Sequence, residues 1–265
     1  MTAAATPASP HPVRRRRRVW PWVLLVVGAL LVGAGIALDV LVRDLAEKTI
    51  AREVGSALEV PAGTEVRASI GGGPFIVQAL SGGFERVDVG VPGYVLGPLT
   101  GDLEIVAHDV PFDLAAPTRE LTGRYAVSQE ALSVAAPELT GARIDGVSIE
   151  GGEVVASGEI SVFGASLGLG LGLTPSAVEG DLAFDPTSIR IGEETLTAEQ
   201  LRGNPFFGGF ADALLQQRRI CVADSLPAAL TLDALAVEGT SLVATLGAAD
   251  TAIGGDGFRQ RGACA

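Results

Sequence analysis

The chain has 265 residues with 19 basic and 31 acidic side chains, a net charge of −12, two cysteines and two histidines. Five of the basic residues are the consecutive Arg14–Arg18, ahead of every acidic residue, so the remainder carries 14 basic and 31 acidic groups, a net −17. A surface this acidic argues against nucleic acid, whose phosphates need clustered Lys and Arg, and against charge-driven adhesion to anionic headgroups.

Residues 1–18 read as a disordered, basic cytoplasmic tail, its first 13 residues rich in Ala, Pro and Thr. Val19–Leu38 contains no charged residue. Twenty helical residues at ~1.5 Å each span roughly 30 Å, the hydrocarbon thickness of a bilayer. The arginine block resists translocation, and Trp20 and Trp22 sit where a headgroup-level aromatic anchor belongs. The expectation is a single-pass segment in the cell membrane, with a cytoplasmic N-terminus and an extracytoplasmic domain over 39–265. Two readings of the segment stand. It is a retained anchor, or a signal peptide cut after Ala37 in the small-x-small triplet Gly35-Ile36-Ala37; an apolar run longer than the usual ~7–15 residues favours the anchor.

From Asp39 to Glu59 the pattern is helical, with Leu41, Leu45, Ile50, Val54, Ala57 and Leu58 as an apolar stripe and Pro61 and Gly63 as the stop. Beyond Pro61 the period becomes two. Strands are predicted over 65–70, 87–91, 102–112, 123–127, 147–150, 153–163, 166–174, 181–184, 188–191, 229–237 and 241–246, separated by Gly- and Pro-containing turns. The parity of the apolar residues shifts between Ala107 and Val110, which predicts a bulge or a bend. A short helix is expected around 128–136. A long one is expected over 205–220, with Asn204 as cap, Pro205 in its first turn and Arg218-Arg219 at its C-terminal end. The fold class is therefore α+β: a long curved antiparallel sheet packed on two long helices.

Leu167-Gly168-Leu169-Gly170-Leu171-Gly172-Leu173 puts leucines on one strand face and glycines on the other. Each glycine weakens a strand by roughly 0.5–1 kcal/mol, so three in register need a reason. Either a lipid tail lies against bare backbone there, or a helix or second sheet packs closely. Phe206-Phe207 beside Gly208-Gly209 is a mobile apolar gate, a membrane-facing tip or a core anchor for the second helix.

Enzyme signatures are missing. Gly71-Gly72-Gly73 is followed by Pro74 and strand-like residues, which excludes a dinucleotide loop. There is no H-E-x-x-H or phosphate loop, and His108-Asp109 are strand neighbours on opposite faces, unable to form a dyad. Carboxylates are plentiful but scattered. No catalytic residue, cofactor or metal site is predicted. Cys221 and Cys264, both outside the membrane, are expected to form a disulfide closing a loop of about 43 residues. Arginine makes up all the basic residues except Lys48, which with abundant Ala, Gly and Val reads as coding from a GC-rich genome, as in actinobacteria.

The run from Val66 to Val91 (V-R-A-S-I-G-G-G-P-F-I-V-Q-A-L-S-G-G-F-E-R-V-D-V-G-V) is followed late in the chain by Cys221-Val222, Leu226-Pro227, Leu230-Thr231-Leu232 and Val237-Glu238-Gly239-Thr240-Ser241-Leu242. With the preceding amphipathic helix, these resemble the exported actinobacterial LmeA-like family over most of residues 39–250. The resemblance implies the elongated fold of the tubular lipid-binding (BPI-like) superfamily, in which a curved sheet wraps a long helix around an apolar channel. It brings no catalytic residues, and a retained anchor departs from that family's cleaved signal.

The reading is a membrane-tethered extracytoplasmic protein whose partners are the membrane and a phospholipid or other envelope lipid, in support of cell-envelope maintenance. Phe75, Leu167, Leu169, Leu171, Leu173, Phe184 and Phe206 are the expected lining residues. The alternative is a non-lipid envelope scaffold or protein-interaction domain.

Overall fold

A computed structural model describes residues 20–61, 63–140, 144–162, 165–192, 194–203 and 216–264. Helix α1, Trp20–Ala57, is continuous for 38 residues; the expected apolar span and amphipathic helix are one element, with no break at Asp39. It is long and apolar enough to cross a membrane, and its apolar stretch makes no burying contact with the rest of the chain. Its far half lies on the first sheet: Ile50 and Val54, with Leu58 just beyond the helix end, are partly buried against Val87, Val89, Val91 and Ala107.

The first sheet holds six antiparallel strands in the order β1-β2-β3-β4-β12-β11. They are β1 Arg67–Gly71, β2 Gly83–Leu96, β3 Leu99–Pro111, β4 Thr118–Ser128, β11 Thr231–Glu238 and β12 Ser241–Thr251. Period-two alternation decides its faces. The register aligns Ile70 with Val87, Val87 with Ala107 and Ala107 with Leu121, while Arg86, His108 and Glu120 line up on the other side. The parity shift after Ala107 is a bend: pairing with β2 keeps its register, and Asp109 takes a left-handed φ of 51°. On the polar side an ion pair from Arg124 to Glu238 crosses β12 above Val243, which is buried beneath it.

The second sheet runs β10-β8-β7-β6-β5, with β9 also on β8. Its strands are β5 Gly146–Glu150, β6 Glu153–Val162, β7 Ala165–Val178, β8 Asp181–Ile191, β9 Glu194–Thr197 and β10 Arg218–Ile220. Helix α3, Gln129–Thr140, is wedged between the sheets. Its Leu132 and Ala136 meet Tyr125 and Val127 from the first and Val147 and Val154 from the second. Ser128 Oγ accepts the Ala131 N–H (3.2 Å), and Ser133 Oγ bonds both N–H and C=O of Val147, tying the wedge to β5.

The α+β class with antiparallel strands stands, but the expected single long sheet is two, and of the two long helices expected to pack on it only α1 is among the described residues. Residues 204–215 lie outside the described residues, and 218–220, expected as a helix end, form strand β10 on β8. A second correction concerns the glycine run, which does precede a helix. Helix α2, Phe75–Ser81, stops at Gly82, whose φ of 88° is the left-handed conformation glycine adopts without a Cβ clash. Helix α4, Ala198–Gly203, packs against β8 and β9 of the second sheet. The disulfide Cys221–Cys264 spans 5.9 Å between Cα atoms and closes the C-terminal segment onto the domain.

Candidate functional site

Strand β7 lies between β6 and β8, and its register settles which way the leucines point. Leu169, Leu171 and Leu173 align with Gly158, Ala156 and Val154 of β6, and Leu169 and Leu171 with Ile191 and Ile189 of β8. A one-residue shift leaves Thr187 outside the pairing, so Pro186 and Phe184 stay on the leucine side. Val147 and Ile149 extend the same face through β5.

That face is turned inward. At one end Val147 and Val154 join the core around α3 and Tyr125. At the other, Leu201 of α4 closes over Ile189, with Leu171 and Leu196 beside it. Next to this lid the cover stops: Leu169 and its cross-strand partner Ile191 are 37% and 38% exposed.

Over Gly170 and Gly172 the glycine face is polar and side chains of its own sheet cover it, while the space above Gly168 is open. A Cβ on Gly170 would lie 3.1 Å from that of Arg190. On Gly172 it would overlap the Ser188 hydroxyl and approach Glu153 Oε2 to 2.6 Å. The Ser188 hydroxyl donates to Glu153 Oε2 (3.1 Å), and Arg190 Nη1 to Glu150 Oε2 (2.8 Å). Bare backbone lets these side chains lie flat across β7. The hydrogen bond from Arg190, then that from Ser148, holds the Glu150 carboxyl below its usual range. In the core between the sheets, the Tyr125 hydroxyl reaches the carbonyls of Tyr94 (3.1 Å) and Leu99 (3.0 Å), and burial pushes its pKa up to about 12.

Of the expected lining residues, the fold brings Leu169, Leu171, Leu173 and Phe184 onto one face. The Leu167 backbone pairs with Ile160; its side chain, and the whole of Phe206, lie outside the described residues. Phe75 is elsewhere. It is buried on α2 against Phe84 (5.7 Å between ring centroids), and Phe84 in turn meets Phe112 at 4.9 Å. Ile189, Ile191, Leu196 and Leu201 complete the face and were not among the expected residues. The signal for the first two is the Ile-x-Ile alternation in β8, which acquires meaning only with the pairing partner.

Two cavities of about 270 Å³ each lie away from this face, one between Gly82 and Pro111 and the other between Arg52 and Val66. Both fall below the ~300–1,000 Å³ usual for ligand pockets. Among the described residues the leucine face is thus apolar and largely covered, with Leu169 and Ile191 as the part left open to an alkyl chain. His108 is on the outer face of the first sheet, between Arg86 and Glu120 in register, and Asp109 pairs instead with Arg119 (3.0 Å). Among the described residues no group of three or more His, Cys, Asp or Glu is placed for a metal ion.

A family model described as LmeA-like phospholipid-binding matches residues 37–247, a lipid-binding description and not an enzymatic one. No curated protein and no solved structure matches the chain.

Proposed function

The chain belongs to the LmeA-like phospholipid-binding family, and on that premise we propose that it holds a phospholipid or related envelope lipid by its acyl chains along the leucine face of the second sheet. Residues 1–18 form a cytoplasmic tail, 19–38 an uncleaved anchor and 39–265 the extracytoplasmic binding domain, which supports the cell envelope without catalysing a reaction.

The observation that carries the reading is the exposed pair Leu169–Ile191 at the end of an otherwise covered apolar face. Water against two aliphatic side chains that continue a core is the free-energy gap an alkyl chain fills. At roughly 0.8 kcal/mol per methylene, ten buried methylenes contribute about 8 kcal/mol before the ordering cost of the lipid. Leu171, Leu173 and Phe184 extend the same surface inward, and Leu167 and Phe206 are assigned to it from the sequence.

Native mass spectrometry of residues 39–265 purified from the host, with organic extraction of bound lipid, tests this. A stoichiometric lipid released on denaturation is the expected result and identifies the ligand class. A clean apo mass, with no uptake of added phospholipid, would reject lipid binding and leave an envelope scaffold.

A further inference from the structure

Helix α2 carries its polarity the wrong way round for a surface helix. Gln78, the polar side chain at its centre, is buried: Nε2 donates to the carbonyls of Gly71 (3.0 Å) and Gly73 (2.8 Å), and Oε1 accepts the N–H of Glu85 (2.9 Å). These bonds lock the helix against rolling. The opposite face presents Ile76, Val77 and Leu80 to solvent, Val77 at 61% and Leu80 at 85% exposure. Phe112 and Leu114 of the β3–β4 connection, both about half exposed, extend it, the Phe112 N–H donating to Gly82 O (3.0 Å).

This patch has a fixed position along α1. Asp39 is the first charged residue after the apolar run, and its Oδ1 accepts the N–H of Ile76 at 2.9 Å. One turn on, Arg43 donates to the carbonyls of Ile70 (3.0 Å) and Gly73 (2.7 Å). Asp39 to Arg43 covers about 6 Å of helix axis, close to the depth of one headgroup layer. The start of α2 is therefore pinned at the level where the anchor leaves the hydrocarbon.

We infer that α2 and the Phe112–Leu114 turn dock into the outer leaflet of the membrane that α1 crosses, burying Ile76, Val77, Leu80, Phe112 and Leu114 among lipid chains. The inference rests on the membrane-spanning reading of α1 proposed above. No basic residue lies within Phe75–Ser81, and Glu85 and Asp113 flank the patch, so the insertion is apolar and requires no anionic lipid. Docking would hold the binding domain against the bilayer surface through a second point of contact.

Tryptophan quenching by acyl-brominated phosphatidylcholine vesicles, with the full chain reconstituted, separates the two claims. In the wild type, Trp20 and Trp22 are the only tryptophans and report insertion of α1. In a Trp20→Phe/Trp22→Phe background, Leu80→Trp reports α2, and Val134→Trp, exposed on α3, is the control. Docking predicts that Leu80→Trp is quenched to an extent comparable with the native pair, while Val134→Trp is not. Quenching of the native pair with none at Leu80→Trp would leave the anchor standing and overturn the docking. Equal quenching at Leu80→Trp and Val134→Trp would indicate a domain lying flat and overturn it too. No quenching of Trp20 and Trp22 would remove the anchor, and the inference with it.

Discussion

Leu169 and Gly168 are chain neighbours on opposite faces of β7, which makes them a matched pair for testing the leucine face. Leu169→Asp removes an aliphatic side chain 37% exposed in the apo chain and puts a carboxylate in its place. Complete burial of a leucine contributes ~1.5–3 kcal/mol, so covering the exposed third with an acyl chain supplies about 1 kcal/mol. Pressing a carboxylate without a partner against hydrocarbon costs about 3 kcal/mol or more. The sum, about 4 kcal/mol, corresponds to roughly a thousandfold weaker lipid binding. The cost to folding is smaller, about 2 kcal/mol at most, because the side chain already meets water. Gly168→Asp adds the same charge one residue away on the polar face, where nothing lies within 4 Å of a new Cβ. Its cross-strand partner is Glu159, a repulsion that costs up to about 1 kcal/mol of stability and leaves the lipid untouched. Displacement of a fluorescent phospholipid, with thermal melts in parallel, reads both quantities. Retention of lipid by Leu169→Asp, or equal loss in both variants, would refute the assignment of the binding face.

Three further outcomes are expected. Reducing Cys221–Cys264, which closes a loop with a sequence separation of 43, should lower unfolding stability by about 4 kcal/mol on the chain-entropy model, read from urea titrations with and without reductant. Gly101→Ala should destabilise by about 2 kcal/mol or more in thermal melts, because the new Cβ would lie 2.5 Å from the backbone oxygen of Ala126 and 3.0 Å from the Tyr125 ring, with no mobile chain end to give way. Tyr125 carries an alkaline signature. Its folded pKa of about 12 exceeds the usual 10.0, so its contribution to stability is whole below pH 10 and is lost as pH rises through 12. Urea midpoints across that range should fall more steeply in the wild type than in Tyr125→Phe, and identical slopes would contradict the burial of this hydroxyl.

The first sheet is legible in the sequence because one of its faces is buried and the other wet. Val87, Val89 and Val91 alternate with Arg86, Asp88 and Gly90, and β2 follows with the expected faces. Helix α2 is not legible, for a physical reason. Its seven residues are too few for a period to show, its apolar positions face outward, and distant groups hold it: Asp39, Arg43 and Glu85. Strand β10 is hidden for the converse reason, since Arg218-Arg219 suits a helix C-terminus and only pairing with β8 makes it a strand. The leucine–glycine run announces two unlike faces but not their direction. That depends on Arg190, Ser188 and Glu153 lying across the glycines, a cross-strand fact that one strand cannot contain. The division into two sheets is likewise long-range, since it depends on α3 entering between Tyr125 and Val147.

The continuity of α1 has a mechanical consequence. If residues 20–38 lie in the bilayer as proposed, the same straight helix that leaves the membrane at Leu38 ends against the first sheet at Ala57, about 28 Å further along its axis. Such a connection is a mast and not a leash. It permits swivel about one axis and leaning with the tilt of the span, but no excursion. Any cargo is therefore handled at a constant altitude above the leaflet, and delivery to a more distant layer would require a second carrier to come to it.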